Sequence, residues 1–235
     1  MRNRRFRAAL LSAALLAGAL TSAAPGAASP VCRQALALAL DVSGSVDRDE
    51  YLIQRQGLAR ALLHPEVAEA LLALPGTAVD LMVYEWSDDG QTHVIAPWTT
   101  IDDAITLTDF ATRVADAPRG RLAPATALGS AMRAGLGHLA ARGHCWKRTL
   151  DISGDGTSNS GPLPGPVRIE AEAQGVTINA LVIGGDADNL PGYFRAYVIA
   201  GPGAFVETAH GFSSYEAAMV RKLKRELEGL IVSLR

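Results

Sequence analysis

The chain has 235 residues, 49% hydrophobic and 20% charged, and its 22 Lys and Arg stand against 24 Asp and Glu for a formal charge of −2. That length suits one α/β domain with a sizeable core. The charge balance argues against nucleic acid or an anionic membrane as the main partner.

At the start, Arg2, Arg4, Arg5 and Arg7 precede an apolar run from Ala8 to Leu20, and small residues continue through Ala28. This is the pattern of a secretory signal, with an apolar core shorter than the roughly 20 residues of a membrane span. Residues 1–28 are therefore expected to be a signal peptide and residues 29–235 an exported, most simply periplasmic, domain. Without those arginines the mature chain has 18 basic residues against 24 acids, a net charge near −6. No later stretch is long and apolar enough to cross a bilayer.

Ala35 to Leu40 is an apolar run of strand length that stops at Asp41, as a buried parallel strand does where it enters a functional loop. Asp41, Ser43 and Ser45 then offer a carboxylate and two hydroxyls at alternate positions, with Gly44 between them for a tight turn. Small hard oxygens of this kind suit Mg²⁺ or a similar cation. Asp and Ser also cap helices, and a helix is expected to start near Asp47 to Glu50. By itself the motif leaves both readings open.

Helical spacing of Leu52, Leu58, Ala59, Leu62 and Leu63 predicts a helix from Glu50 to Leu63, with Arg55 off its apolar face, and Pro65 restarts a shorter one to Leu74. Ala78 to Trp86 and His93 to Trp98 read as strands joined by the turn Ser87-Asp88-Asp89-Gly90, a hairpin at a sheet edge. A helix over Thr108 to Ala115 follows, then an exposed loop from Arg119. Thr126 opens a helix to Ala141 rich in small residues. Lys147 to Ser153 is a second strand, ending near Asp155. Gly156 to Pro166 reads as a long polar loop and Val176 to Ile183 as a strand. A helix over Tyr193 to Ile199, a short strand over Ala204 to Glu207 and an amphipathic helix over Ser214 to Leu234 complete the chain. On that helix Tyr215, Met219, Leu223, Leu227 and Leu230 share a face, and Lys222 and Arg225 are read as its solvated side.

Strands alternating with helices predict a doubly wound α/β fold, a mostly parallel sheet with helices on both faces and one antiparallel edge strand. Cys32 lies nine residues before Asp41 and Cys145 ten before Asp155. If those strands are neighbours, about 4.8 Å apart, a Cys32–Cys145 disulfide is within reach; two unpaired thiols are the alternative. In such sheets ligands gather beyond the carboxyl ends of the strands, where the strand order reverses. Asp41 and Asp155 both sit at such ends.

Asp-x-Ser-x-Ser at 41–45, Thr126 before a helix, and Asp155-Gly156 after a strand together resemble the von Willebrand factor A (VWA) domain. Its metal-ion-dependent adhesion site is assembled from these pieces. The resemblance spans nearly all of the mature chain and implies that Asp41, Ser43, Ser45, Thr126 and Asp155 hold a divalent cation, Mg²⁺ first, with Mn²⁺ or Ca²⁺ as alternatives. It implies an adhesion-type module that captures a partner's carboxylate. Gly154 stands where adhesion-type domains carry Thr or Ser, and Asp151 where a hydrophobic residue is common. With Trp86 and Trp98, these departures make the chain look like an uncharacterised family of exported bacterial VWA-like proteins.

Asp151 and Glu85 are read as buried structural acids, with support of the site as the alternative. His93, His138, His144 and His210 show no spacing that points to a metal or catalytic cluster, and Asp186 and Asp188 read as a polar turn. Two rival functions remain. A VWA scaffold without a metal role is one. The other is a hydrolase or phosphatase with Asp41 as nucleophile, which Ser43 disfavours by standing where the second acid belongs, as does the absence of a Gly-x-Ser-x-Gly elbow or a phosphate loop.

Overall fold

The structure, a computed structural model, describes residues 29–184 and 189–232. The expected signal peptide, the Asp186 and Asp188 turn and the last residues of the expected final helix lie outside the described residues. Strands β1 (Val31–Asp41), β2 (Thr77–Trp86), β3 (Thr92–Ile101), β4 (Lys147–Gly154), β5 (Thr177–Ile183) and β6 (Val206–Ala209) form one sheet in the order β3-β2-β1-β4-β5-β6. Every neighbouring pair is parallel except β2 and β3, so the expected class and its antiparallel edge are met. Pro97 has no N–H to donate to a ladder, and β3 tolerates it because it is the edge strand. From β1 the chain goes first to β2 on one side and later to β4 on the other. The strand order thus reverses beside β1, where Leu40 lies between Glu85 of β2 and Ser153 of β4.

Side-chain alternation on β1 explains the two layers of helices. Leu36, Leu38 and Leu40 point into a core shared with α1 (Arg48–Leu63), α2 (Pro65–Leu72), α3 (Ala104–Asp116) and α7 (Tyr215–Val232). Ala35, Ala37 and Ala39 point the other way, toward α4 (Leu128–Ala140), α5 (Pro164–Ala173) and α6 (Leu190–Tyr197). Small residues let that second layer come close. A Cβ on Gly135 of α4 would stand 2.7 Å from both Leu150 and the Tyr84 hydroxyl, nearer than real side chains pack.

Helix α5 was not expected. Its opening Pro164-Gly-Pro166 reads as loop, yet proline is well suited to the first turn of a helix, and its buried side is only Pro164, Val167 and Ala171. Helix α3 starts at Ala104 rather than Thr108, because Asp103 caps it by accepting the Thr106 N–H at 2.7 Å. Two charges placed off the apolar faces of their helices are buried. Arg55 donates to the Ala117 carbonyl. Lys222, fully buried, lies 2.7 Å from both Asp151 Oδ1 and Glu226 Oε1. At the amino-terminal edge of the sheet Cys32 and Cys145 form the expected disulfide, with their Cα atoms 4.7 Å apart.

Candidate functional site

The loop after β1 begins with Asp41, which is completely buried. Its Oδ1 accepts the Ser43 N–H at 2.8 Å. The Ser43 and Ser45 hydroxyls are 3.2 Å apart, and the Ser45 hydroxyl donates to Asp155 Oδ1 at 2.7 Å. Four of the five proposed ligands thus lie along one hydrogen-bonded chain. Neither serine caps α1. That task falls to Asp47, whose Oδ1 accepts the Glu50 N–H at 2.8 Å while Glu50 Oε2 accepts the Asp47 N–H at 2.9 Å, a reciprocal capping box. The capping reading of Ser43 and Ser45 is thereby set aside, and the Ser45 hydroxyl points to Asp155 instead.

Thr126 reaches the same rim from another direction. It precedes α4 rather than opening it. Two residues before it, the Pro124 carbonyl accepts the Gly44 N–H at 2.7 Å, and a Cβ on Gly44 would stand only 2.9 Å from Pro124 Cβ. This close approach needs glycine. Thr126 is buried, and its backbone is held from both sides by Asn159: its N–H donates to Asn159 Oδ1 and its carbonyl accepts the Asn159 N–H, each at 2.8 Å. Asn159 belongs to the loop that leaves Asp155, so the three sequence segments meet at the point where the strand order reverses.

Electrostatics mark Asp41. Burial, first, pushes its carboxyl up to about 7; hydrogen bonds from Ser43 oppose this, and the charge of Asp155 adds to it. Its Oδ2 is buried with no hydrogen-bond partner among the described residues. An orphaned carboxylate oxygen beside a second carboxylate and two hydroxyls is a donor set that fits a hard divalent cation.

Residues that sequence reasoning did not assign to the site hold its loops. The Arg119 guanidinium donates to the carbonyls of Val42 and Val46, each at 2.9 Å, and of Asp47 at 3.3 Å. Glu85 accepts from the Tyr51 hydroxyl at 2.6 Å and the Gly120 N–H at 2.7 Å. Gln54 donates to the Asp41 carbonyl at 2.9 Å. Glu85 is thus a buried, hydrogen-bonded acid, and through Gly120 it also tethers the 119–126 loop, which is the support that its alternative reading named. Gly154 has a steric reason: a Cβ there would meet Asp41 Oδ2 and Phe194 at 3.3 Å and Trp86 at 3.5 Å. Asp151 faces α7 and pairs with Lys222, not with the rim. A surface groove of about 640 Å³, bordered by Arg168, Arg195 and Gly201, contains none of these residues.

Residues 31–231 match the family described as "Protein of unknown function (DUF1194)". No curated protein matches the chain in sequence. Among solved structures, proximal thread matrix protein 1 from the mussel byssus is 17% identical, with a TM-score of 0.60 over 85% of this chain and 49% of that one. Another structure of that protein has a zinc-occupied MIDAS motif. The pilus adhesin SpaC from Lactobacillus rhamnosus GG is 14% identical, with a TM-score of 0.60 over 87% of this chain and 31% of that one. A von Willebrand factor type A protein from Catenulispora acidiphila is 14% identical, with a TM-score of 0.57 over 83% and 42%. The chain spans less than half the length of each, and the likeness is one of fold. With its six-stranded sheet, its helices on both faces and its match over 31–231, the chain belongs to the DUF1194 family and has the VWA fold.

Proposed function

We propose that this chain is an exported binding module. At the carboxyl edge of its sheet Asp41, Ser43, Ser45, Thr126 and Asp155 hold one divalent cation, most simply Mg²⁺. When bound, the cation offers an open coordination position to a carboxylate of a partner protein or other ligand. No bond is broken. The observation that carries this reading is the buried Asp41 Oδ2, which lacks a partner while the neighbouring Ser45 hydroxyl is already aligned with Asp155. Three neutral hydroxyls beside two acids complete a shell without cancelling the ion's charge, so it remains attractive to an outside carboxylate. The fold likeness to a protein with a zinc-occupied MIDAS motif supports the same reading. Export is supported by the apolar Ala8 to Leu20 behind four arginines and by the Cys32–Cys145 disulfide.

Calorimetric titration of Mg²⁺, Mn²⁺ and Ca²⁺ into wild type and Asp41→Ala tests the site. Wild type takes up one ion and the variant none, with circular dichroism unchanged; equal heats from the two proteins reject the site. Affinity capture from the native extract, with and without chelator, tests the function. A partner retained in chelator would reduce the chain to a metal-independent scaffold.

A further inference from the structure

The opposite edge of the sheet gathers four side chains of metal-ligating types. Cys32 opens β1, Asp80 lies on β2 in register with Ala35, and His144 and Cys145 close the turn before β4. One ligand atom from each of the four lies within 4.8 Å of all the others. Zinc prefers four such donors in a tetrahedron, at bond lengths that put neighbouring ligand atoms about 3.3–3.8 Å apart. Asp80 Oδ2 is 3.9 Å from both Cys145 Sγ and His144 Nε2. In the oxidised protein the sulfurs are bonded to each other and offer no thiolate.

We propose that reduction of the Cys32–Cys145 disulfide converts this edge into a zinc site with Cys32, Cys145, His144 and Asp80 as ligands. Disulfide and zinc site are then mutually exclusive states of one pair of strands. The two cysteines stay together without their bond, because the Trp146 N–H donates to the Cys32 carbonyl at 3.1 Å and Gln34 pairs with Lys147 just beyond. Asp80 is oriented by the Thr100 hydroxyl, which donates to its Oδ1 at 2.8 Å and leaves Oδ2 toward the sulfurs. Support of this kind from behind is what metal-ligating side chains need. Charge also balances. Two thiolates, a carboxylate and Zn²⁺ leave one net negative charge, and the Arg142 guanidinium lies 3.5 Å from Asp80 Oδ2, stacked on the Trp98 ring. Cys32, Cys145 and Asp80 are buried while His144 is exposed, which gives the ion a route in from solvent.

The redox step is thiol–disulfide exchange. A dithiol reductant gives two electrons and two protons to the S–S bond and leaves as its own disulfide; zinc then displaces both thiol protons to solvent as two Zn–S bonds form. Reoxidation by a disulfide oxidant reverses this and releases the ion.

The test uses the full chain carrying Asp41→Ala, so that the carboxyl-edge site contributes nothing and failure here is independent of the function proposed above. Cobalt(II), whose visible bands report tetrahedral thiolate coordination, and Zn²⁺ in competition with a chromophoric chelator are titrated into oxidised protein and into protein reduced with a phosphine under argon. The reduced protein is expected to bind one more equivalent than the oxidised one. His144→Ala, an exposed position that leaves the oxidised fold intact, is expected to weaken zinc binding by the reduced protein about tenfold or more. Equal uptake in the two redox states would overturn the proposal. So would undiminished affinity in His144→Ala, or a reduced chain that unfolds whether or not zinc is present.

Discussion

Asp41 is a carboxyl that the fold holds in two incompatible demands, buried like a neutral group yet placed like a ligand. Its proton is bound more tightly in the folded protein, where the carboxyl is pushed up to about 7, than in the unfolded chain. Its contribution to stability is therefore complete below about pH 4 and is lost, at about 1.4 kcal/mol per pH unit, as the pH rises through 7. In chelator, wild type should resist urea less well at pH 8 than at pH 5. Burial raises Asp151 in the same direction, so the quantity to measure is the difference between wild type and Asp41→Asn, which removes the share due to Asp41. A cation must displace the proton. Mg²⁺ affinity should therefore climb between pH 5 and pH 7 and flatten above, and a flat profile would show that Asp41 is no ligand. At this scale Asp41, Ser43 and Ser45 stood out because they are alternate residues of one short run and Asp155 because it follows a second apolar strand, whereas Thr126 was singled out only through family resemblance. The clamps from Arg119 and Asn159 were not legible at all, and Glu85 showed only as a buried acid with support of the site as an alternative. Their partners are mostly backbone atoms, which have no signature in side-chain spacing.

Helix α7 shows where periodicity stops being informative. Lys222 borders the stripe of Tyr215, Met219 and Leu223, a position that can face either solvent or core, and the strand it packs against decides which. Asp151 on β4 and Asn179 on β5 project toward it, and Asn179 Nδ2 donates to Glu226 Oε1 at 2.8 Å. One lysine between two acids leaves an excess negative charge, so burial holds a proton on the group while Lys222 pulls the other way. Removing Lys222 takes away the cation in direct contact with both carboxyls. Lys222→Met should cost about 3–5 kcal/mol in chemical denaturation, and adding Asp151→Asn with Glu226→Gln should recover most of it. A loss below about 1 kcal/mol for the single variant would mean that the three groups are not sequestered together. Helix α5 escaped notice for a related reason. Its three buried residues, spread over about two turns, are too few for a period to emerge, and the prolines that open it look like loop.

The whole molecule has two chemically different ends joined by β1 and β4. The class of fold and the edge hairpin could be read from alternating strands and helices, because parallel strands buried on both faces are continuous apolar runs. The sheet order could not, since nothing local in a strand names its neighbour. That order puts the disulfide at one end of β1 and the acid-bearing loop at the other, about 30 Å apart at roughly 3.3 Å per residue. The disulfide closes a sequence separation of 113 residues, and on the chain-entropy account such a crosslink stabilises by about 4–5 kcal/mol. Almost all of that acts on the unfolded chain, while β1 and β4 remain paired from Gln34 and Lys147 to Leu40 and Ser153. Replacing both cysteines by serine should therefore lower the urea midpoint substantially yet leave Mg²⁺ affinity within about twofold of wild type, because Mg²⁺ takes oxygen ligands and the distant rim keeps its geometry. Denaturation and calorimetry on the same preparation separate the two effects. A folded double variant with tenfold weaker Mg²⁺ binding would mean that the covalent link sets the relative height of the Asp41 and Asp155 loops, and that the two edges of the sheet act as one device.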